Sequence, residues 1–288
     1  MTRLQTASWL VLIGGSVLTI GGLPLALFLV VVGCLAFYEV QQMTELKSRW
    51  LMVLNMVAYS ACILFFWAAV WGNYWLRKWM KVHFSFFTLK NPIIFWLTIG
   101  TIGGVFLVFI IEYARKSLMF RSHLLLNNVK YFLYITLGFW SVFFVRSQPY
   151  PLDFFPVFFM FMAIWASDVF AYYGGRLFGK RPLSPISPKK TIEGTVVGIA
   201  VAMCIGFIFG LYAVKPVFIA CAILAVVAGA IGAIAQFGDL YESLIKRTYN
   251  VKDSSNLLPG HGGILDRADS TLFVAPMIVL LILLLDYM

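Results

Sequence analysis

Five of the chain's twelve acidic residues, Asp239, Glu242, Asp253, Asp266 and Asp269, fall within 31 positions. Asp266 and Asp269 stand three apart at the expected start of a helix, a spacing that puts both side chains on one face. Such a pair suits a hard cation, because Mg²⁺ takes oxygen ligands and commonly binds one or two carboxylates together with substrate phosphates. Asp239 is placed to supply a third ligand. Lys246, Arg247, Lys252, His261 and Arg267 lie in the same stretch and can hold anionic groups beside the metal. At its centre, Pro259-Gly260-His261-Gly262-Gly263 supplies glycines, which adopt backbone conformations closed to other residues and let main-chain N–H groups approach phosphate. The helix N-terminus that follows adds donors and a positive dipole end. A solvated charged loop would explain any one of these residues. The combination points to phosphate chemistry. His261 has three roles open to it, phosphate donor, general base or turn residue, of which phosphate or pyrophosphate contact is favoured.

A second polar segment is Ser187-Pro188-Lys189-Lys190-Thr191-Ile192-Glu193-Gly194. Thr191 can cap the helix that follows, with Glu193 in its first turn. Lys189 and Lys190 beside a helix N-terminus are electrostatically awkward, since that end is already positive; a bound anion resolves the conflict. Asp168 lies inside an apolar run, where an ionisable side chain is costly and marks function. It can bind a cation, orient a neighbouring lysine or contact the ligand.

The elements that must position these groups are apolar. The chain is 61% hydrophobic and 12% charged, with a mean hydropathy of +0.90, against about 25% charged in soluble domains. Apolar runs at residues 7 to 21, 23 to 38, 51 to 71, 93 to 111, 130 to 146, 154 to 174, 194 to 213, 217 to 235 and 268 to 286 are of the order of the ~20 residues that cross a bilayer as a helix. The expected fold is therefore an all-α polytopic integral membrane protein of about nine transmembrane helices. The first two runs, broken only by Gly21, Gly22 and Pro24, predict a tight helical hairpin, with one long tilted helix as the rival. Three regions are expected: 1–111 with the opening hairpin, 112–175, and a catalytic 176–288 with polar loops at 176–193 and 236–267.

In a nine-span arrangement Lys and Arg divide 16 to 6 between the two faces, which places the N-terminus and both polar loops in the cytoplasm. The net charge of +10 is spread over short loops without a basic-aromatic stripe, so it reads as membrane-surface charge rather than nucleic-acid binding. Cys34, Cys62, Cys204 and Cys221 all lie in apolar runs, as small core residues do. Glycines at 194, 198, 206, 210, 229, 232 and 238 read as close helix–helix packing.

The stretch Ser243-x-x-Lys246-Arg247-x4-Lys252-Asp253-x5-Pro259-Gly260-His261-Gly262-Gly263-x-x-Asp266-Arg267-x-Asp269 resembles the signature of the phosphatidate cytidylyltransferases, or CDP-diacylglycerol synthases. Ser187-Pro188-x-Lys190-Thr191-x-Glu193-Gly194 and Asp168 with Ala171-Tyr172 resemble two further motifs of that family, so the likeness covers roughly the last 120 residues. Lys189, and Val169-Phe170 after Asp168, stand where smaller residues are common in the family. The resemblance implies transfer of a cytidylyl group from CTP to phosphatidic acid, with Mg²⁺ required and a second cation compatible. It makes Asp239, Asp266 and Asp269 the metal candidates. Asp266, Asp269, Lys190 and Arg267 become the catalytic candidates, and Ser187, Lys189, Thr191, Lys246, Arg247, Lys252, His261 and Asp168 the substrate contacts. It also implies a bacterial inner membrane with the site facing the cytoplasm, membrane lipids as partners, and leaves a homodimer open. The rivals are an archaeol-type cytidylyltransferase, a CTP-dependent polyprenol kinase and, from another class, a cation or phosphate transporter. A transporter should show internal repeats and charges near the midplane of several spans; no such repeat is evident.

Overall fold

The computed structural model describes residues 3–44, 48–80, 124–148, 154–213 and 218–287. It is a helical bundle: α1 (Arg3–Ile20), α2 (Gly22–Met43), α3 (Arg49–Met80), α4 (Leu124–Arg146), α5 (Phe155–Phe178), α6 (Ile192–Ala213), α7 (Phe218–Thr248) and α8 (Leu265–Tyr287). Between α5 and α6 lies a two-stranded antiparallel hairpin, β1 (Pro182–Ser184) and β2 (Ser187–Thr191), in which Pro182 faces Thr191 and Ser184 faces Ser187. Among the described residues seven helices are long and apolar enough to cross a membrane, and Val11–Ile20 is a shorter apolar helix. The expected span at 93 to 111 lies outside the described residues.

Two expectations change. The chain breaks between α1 and α2 at Gly21 and Gly22, both at positive φ (68° and 54°), where glycine has no Cβ to clash. The break rules out one continuous helix, yet α1 touches α2 far less than α2 touches α3. Arg146 at the end of α4 steadies the break by donating to the Leu18 and Thr19 carbonyls (2.6 and 2.8 Å). The second change is in the polar segment 236–267, whose first part is not loop. Helix α7 runs unbroken for 31 residues, through Asp239 to Thr248. Phe237, Leu240, Tyr241, Leu244 and Ile245 recur at helical spacing, and Leu240, Tyr241 and Ile245 are buried.

Glycine sets how closely the C-terminal helices approach. In α6, a Cβ at Gly194 would lie 2.5 Å from the Ala171 carbonyl oxygen and one at Gly198 2.5 Å from that of Ser167, so this Gly-x-x-x-Gly pair packs on α5. About two turns further along, Gly206 and Gly210 would meet Leu224 O at 2.5 Å and Cys221 Cα at 2.8 Å, so the second pair packs on α7. Without a hydrophobic drive between helices in lipid, such close van der Waals approach holds them together.

Among the described residues helix α8 is the most enclosed span: 56% of its apolar window is buried, against 11% for α3. It packs on α7, α4 and α5. Its anchor is an aromatic cluster in which the Phe273 ring meets Tyr134, Phe237 and Tyr241 at centroid distances of 5.5, 5.5 and 5.2 Å, the tilted and edge-on arrangements aromatic rings prefer.

A Gly198→Val side chain would strike the α5 backbone rather than a yielding side chain. Overpacking of this kind costs about 1–3 kcal/mol, so the variant should melt measurably below wild type in detergent. An unchanged Tm would mean that α5 and α6 are not held at this distance.

Candidate active site

The polar groups of α5, β2, α7 and α8 meet at one end of the bundle. Gly179 and Gly175, at the end of α5, seat β2: a Cβ on either would lie 2.8 and 2.9 Å from Thr191 Oγ1. Thr191 accepts the Gly194 N–H (3.1 Å) and caps α6 as its sequence suggested. Glu193 reaches back to the Lys180 and Arg181 N–H groups (3.1 and 3.2 Å) and pairs with the Arg181 guanidinium. The hairpin is thereby pinned at its base, and Lys190 projects from it to form an ion pair with Asp239 of α7.

Around that pair stand two further carboxylates. Asp168 accepts a hydrogen bond from Gln236 Nε2 (3.2 Å), and Asp269 lies within electrostatic reach of Asp239, Asp168 and Lys190. All four side chains are partly buried. Asp269 Oδ1 accepts the Ser270 N–H (2.6 Å), and Tyr134 donates to the Asp269 carbonyl (3.4 Å), so the aromatic cluster supports this turn of α8 from beneath.

Asp266 occupies a different environment. Its Oδ1 accepts from Lys246 (2.6 Å); its Oδ2 accepts from the Ser254 N–H (2.9 Å), Ser254 Oγ (2.9 Å) and the Gly263 N–H (2.8 Å). Lys246 also pairs with Glu242, one turn earlier on α7. The sequence grouped Asp239, Asp266 and Asp269 as one ligand set. In the structure Asp266 is engaged by Lys246 and the 254–263 segment, while Asp239 pairs with Lys190 and Asp269 lies within reach of both; among the described residues no three His, Cys, Asp or Glu side chains are already gathered as a ligand group. Three residues along a helix turn the side chain by about 60°, which sends Asp266 toward Lys246 and Asp269 toward Asp239.

The glycine turn forms as expected. Gly260 and Gly262 take positive φ (75° and 81°), Leu258 bridges to Gly262, and the His261 carbonyl accepts two bonds from Arg267 (2.9 and 2.6 Å). His261 Nδ1 is buried without a hydrogen-bond partner among the described residues. Arg247 donates to the Val251 carbonyl (2.8 Å). Lys189, Arg247, Lys252 and Arg267 are exposed, and Ser187 is half-buried in β2. Val169 and Phe170 are exposed on α5, so the larger residues there do not fill the polar space beside Asp168.

The model of the cytidylyltransferase family matches residues 1–285. The chain belongs to this family. It is 32% identical over 255 residues to a protein of Helicobacter pylori named phosphatidate cytidylyltransferase, covering 82% of this chain and 91% of that one. It is also 32% identical to a Staphylococcus epidermidis protein of the same name over 285 residues, 98% of each, and to one from Haemophilus influenzae over 265 residues, 87% of each.

Four contributors to this cytidylyltransferase's site escaped the sequence reading. Gln236, the amide bonded to Asp168, stands just past the expected end of its span at residue 235 and so read as the start of a polar loop, whereas the helix carries it beside Asp168. Ser254 and Ser255 look like any loop serines. Glu39, in α2, is fully buried and bonded to both of them and to the first residues of α8; nothing nearby in sequence announces it.

The two acidic residues of the Asp-x-x-Asp pair should therefore fail differently. Asp266→Asn strands Lys246 with Glu242, and breaking a buried ion pair costs roughly 3–5 kcal/mol, so its Tm in detergent should fall. Asp269→Asn removes a charge that stands among like charges, so its Tm should equal or exceed that of wild type. Equal melting of the two variants would contradict this division.

Proposed function

We propose that this cytidylyltransferase makes CDP-diacylglycerol and pyrophosphate from CTP and phosphatidic acid, as the names of its relatives indicate for them. The observation that carries the reading is the Lys190–Asp239 ion pair, flanked by Asp168 and Asp269, where apolar helices end in polar chain. A lipid whose acyl chains lie among the helices would present its phosphate to that point, and a nucleotide would reach it from the aqueous side. The division of Lys and Arg between the faces supports a cytoplasmic site, and the bacterial relatives support the inner membrane of a bacterium.

The phosphate monoester of the lipid supplies the nucleophilic oxygen. It attacks the α-phosphorus of CTP in line; the new P–O bond forms as the bond to the β-phosphate bridging oxygen breaks, and pyrophosphate leaves with that electron pair. A phosphate monoester is already ionised at neutral pH, so little help from a general base is needed. Positioning and charge neutralisation carry the catalysis. Lys190 is held to meet phosphate oxygens, and Arg247, Lys252 and Arg267 offer charge to the triphosphate or the departing pyrophosphate. The backbone N–H groups of Gly260 and Gly262, with the His261 side chain, add donors, while the Gly263 and His261 N–H groups are engaged by Asp266 and the Leu258 carbonyl. Lys246 and Asp266 hold the turn against α7 and α8.

Three carboxylates around one lysine leave an excess of negative charge in a partly buried place, which a hard cation relieves. Asp239 and Asp269 would hold Mg²⁺, with Asp168 nearby and Asp266 at the adjoining turn; the remaining oxygen ligands would come from phosphate and water, as is usual for this ion. When bound, the metal neutralises charge developing on the transferring phosphoryl group.

The purified protein should incorporate label from α-labelled CTP into lipid and release γ-label in pyrophosphate. It should lose both activities on chelation and regain them with Mg²⁺. Label from the γ position in lipid would identify a CTP-dependent kinase instead. Lys190→Ala, which removes a charge-assisted hydrogen bond of about 1.5–3 kcal/mol, should lower kcat/KM roughly ten- to hundredfold; an unchanged KM for both substrates would remove Lys190 from ground-state binding.

A further inference from the structure

Glu39 lies more than two hundred residues in sequence from the residues it bonds and is 0% exposed. Its Oε1 accepts from Ser255 Oγ (2.7 Å) and the Ile264 N–H (2.7 Å); its Oε2 accepts from the Leu265 N–H (2.9 Å) and Ser254 Oγ (3.1 Å). An ionised carboxylate has about four acceptor sites; three are filled here outright, and the fourth faces Ser254 Oγ, whose single proton is shared with Asp266 Oδ2. The ion pairs of the described residues do not include Glu39. Its charge is instead met by donors at the positive end of α8, the place where a helix stabilises an anion.

The first N–H groups of a helix have no intrahelical partner and ordinarily take one from a nearby Ser, Thr, Asp or Asn. Here the residues leading into α8 are Gly262, Gly263 and Ile264, none of which has a side-chain acceptor. A Cβ at Gly263 would fall 1.8 Å from Ser254 Oγ and 2.6 Å from Glu39 Oε2. The space a local cap would need is taken by the carboxylate that replaces it. Ser254 Oγ also reaches Asp266 at 2.9 Å, so a continuous chain of contacts runs from Glu39 through Ser254 and Asp266 to Lys246 and Glu242.

We infer that Glu39 is a positioning residue for the reaction: an N-cap supplied in trans by α2 fixes the first turn of α8 and, through it, the placement of Asp269 opposite Asp239. It touches no substrate in this arrangement. The inference rests on the function proposed above, because it assigns Asp269 to the reacting centre.

Glu39→Gln keeps the side chain's volume but turns an amide NH₂ toward a site lined with donors. The two serine hydroxyls can reverse to accept, whereas the Ile264 and Leu265 N–H groups cannot. Hydrogen–deuterium exchange of the detergent-purified protein should show residues 264–268 losing protection while the α5–α6 hairpin does not. Because small misplacements of reacting groups lower the catalytic rate steeply, kcat per folded molecule should fall about tenfold or more, with KM for CTP and phosphatidic acid within about threefold of wild type. A general loss of structure would lower protection everywhere and would not separate kcat from KM. Ser255→Ala, which removes one of the four donors, is the milder companion should Glu39→Gln not fold, and should show the same pattern weakened. Wild-type exchange at 264–268, or wild-type kcat per folded molecule, in the variant that folds would overturn the positioning role. A wild-type protein that makes no CDP-diacylglycerol would overturn the function instead, and the exchange arm would still decide whether Glu39 holds α8.

Discussion

Asp266 lies within hydrogen-bond distance of four donor groups, three of them in a loop that would otherwise have little reason to fold against an apolar helix. Charge in a half-buried place at the end of a membrane bundle persists only with partners. The partners chosen here come from α7, from the 254–263 segment and, through Ser254, from α2. Satisfying that carboxylate folds the glycine turn, aligns Arg267 on the His261 carbonyl and sets where α8 begins. The groups assigned to the chemistry lie one turn away and inherit their positions from it.

The second support is steric. Helices α5, α6 and α7 approach until glycine faces backbone, which brings the hairpin that follows α5 over the polar end of α7. Lys190 reaches Asp239 because Thr191 is seated against Gly175 and Gly179 and because Glu193 holds the Lys180–Arg181 backbone. An electrostatic site is thus built by close packing on one side and by hydrogen-bonded carboxylates on the other. The aromatic rings of Tyr134, Tyr241 and Phe273 fill the layer between them and the lipid-facing core.

Much of this was legible where chemistry and spacing are local. Thr191 announced its cap, the glycine turn announced its positive φ, and the apolar runs announced their helices. The end of α7 was harder. Asp239, Glu242, Lys246 and Arg247 gave residues 236–248 the composition of a loop, while the periodicity of Phe237, Leu240, Tyr241, Leu244 and Ile245 carried the helix. The three aspartates at 239, 266 and 269 were legible as a cluster, while the partners taken, Lys190 by Asp239 and Lys246 by Asp266, were not, since a spacing of three fixes a common face and not which neighbour each side chain meets. Glu39 was illegible for a physical reason. A cap provided within one chain segment leaves a pattern of residues at fixed offsets, whereas one provided from another helix leaves only a lone carboxylate and a run of residues that lacks the usual acceptor.

Helix α7 is 31 residues long, which at 1.5 Å per residue is about 46 Å, against a hydrocarbon layer of about 30 Å. Its surplus cannot be lost to an ordinary tilt of about 20°. Its charged end therefore stands as a post rising through the headgroup layer, with Asp239 near the foot and Lys246 higher up. In the reaction proposed above, a lipid phosphate would meet that end at its own level, so the membrane substrate would need only sideways travel. The nucleotide makes the vertical journey, and the nucleotide is the partner that water already carries.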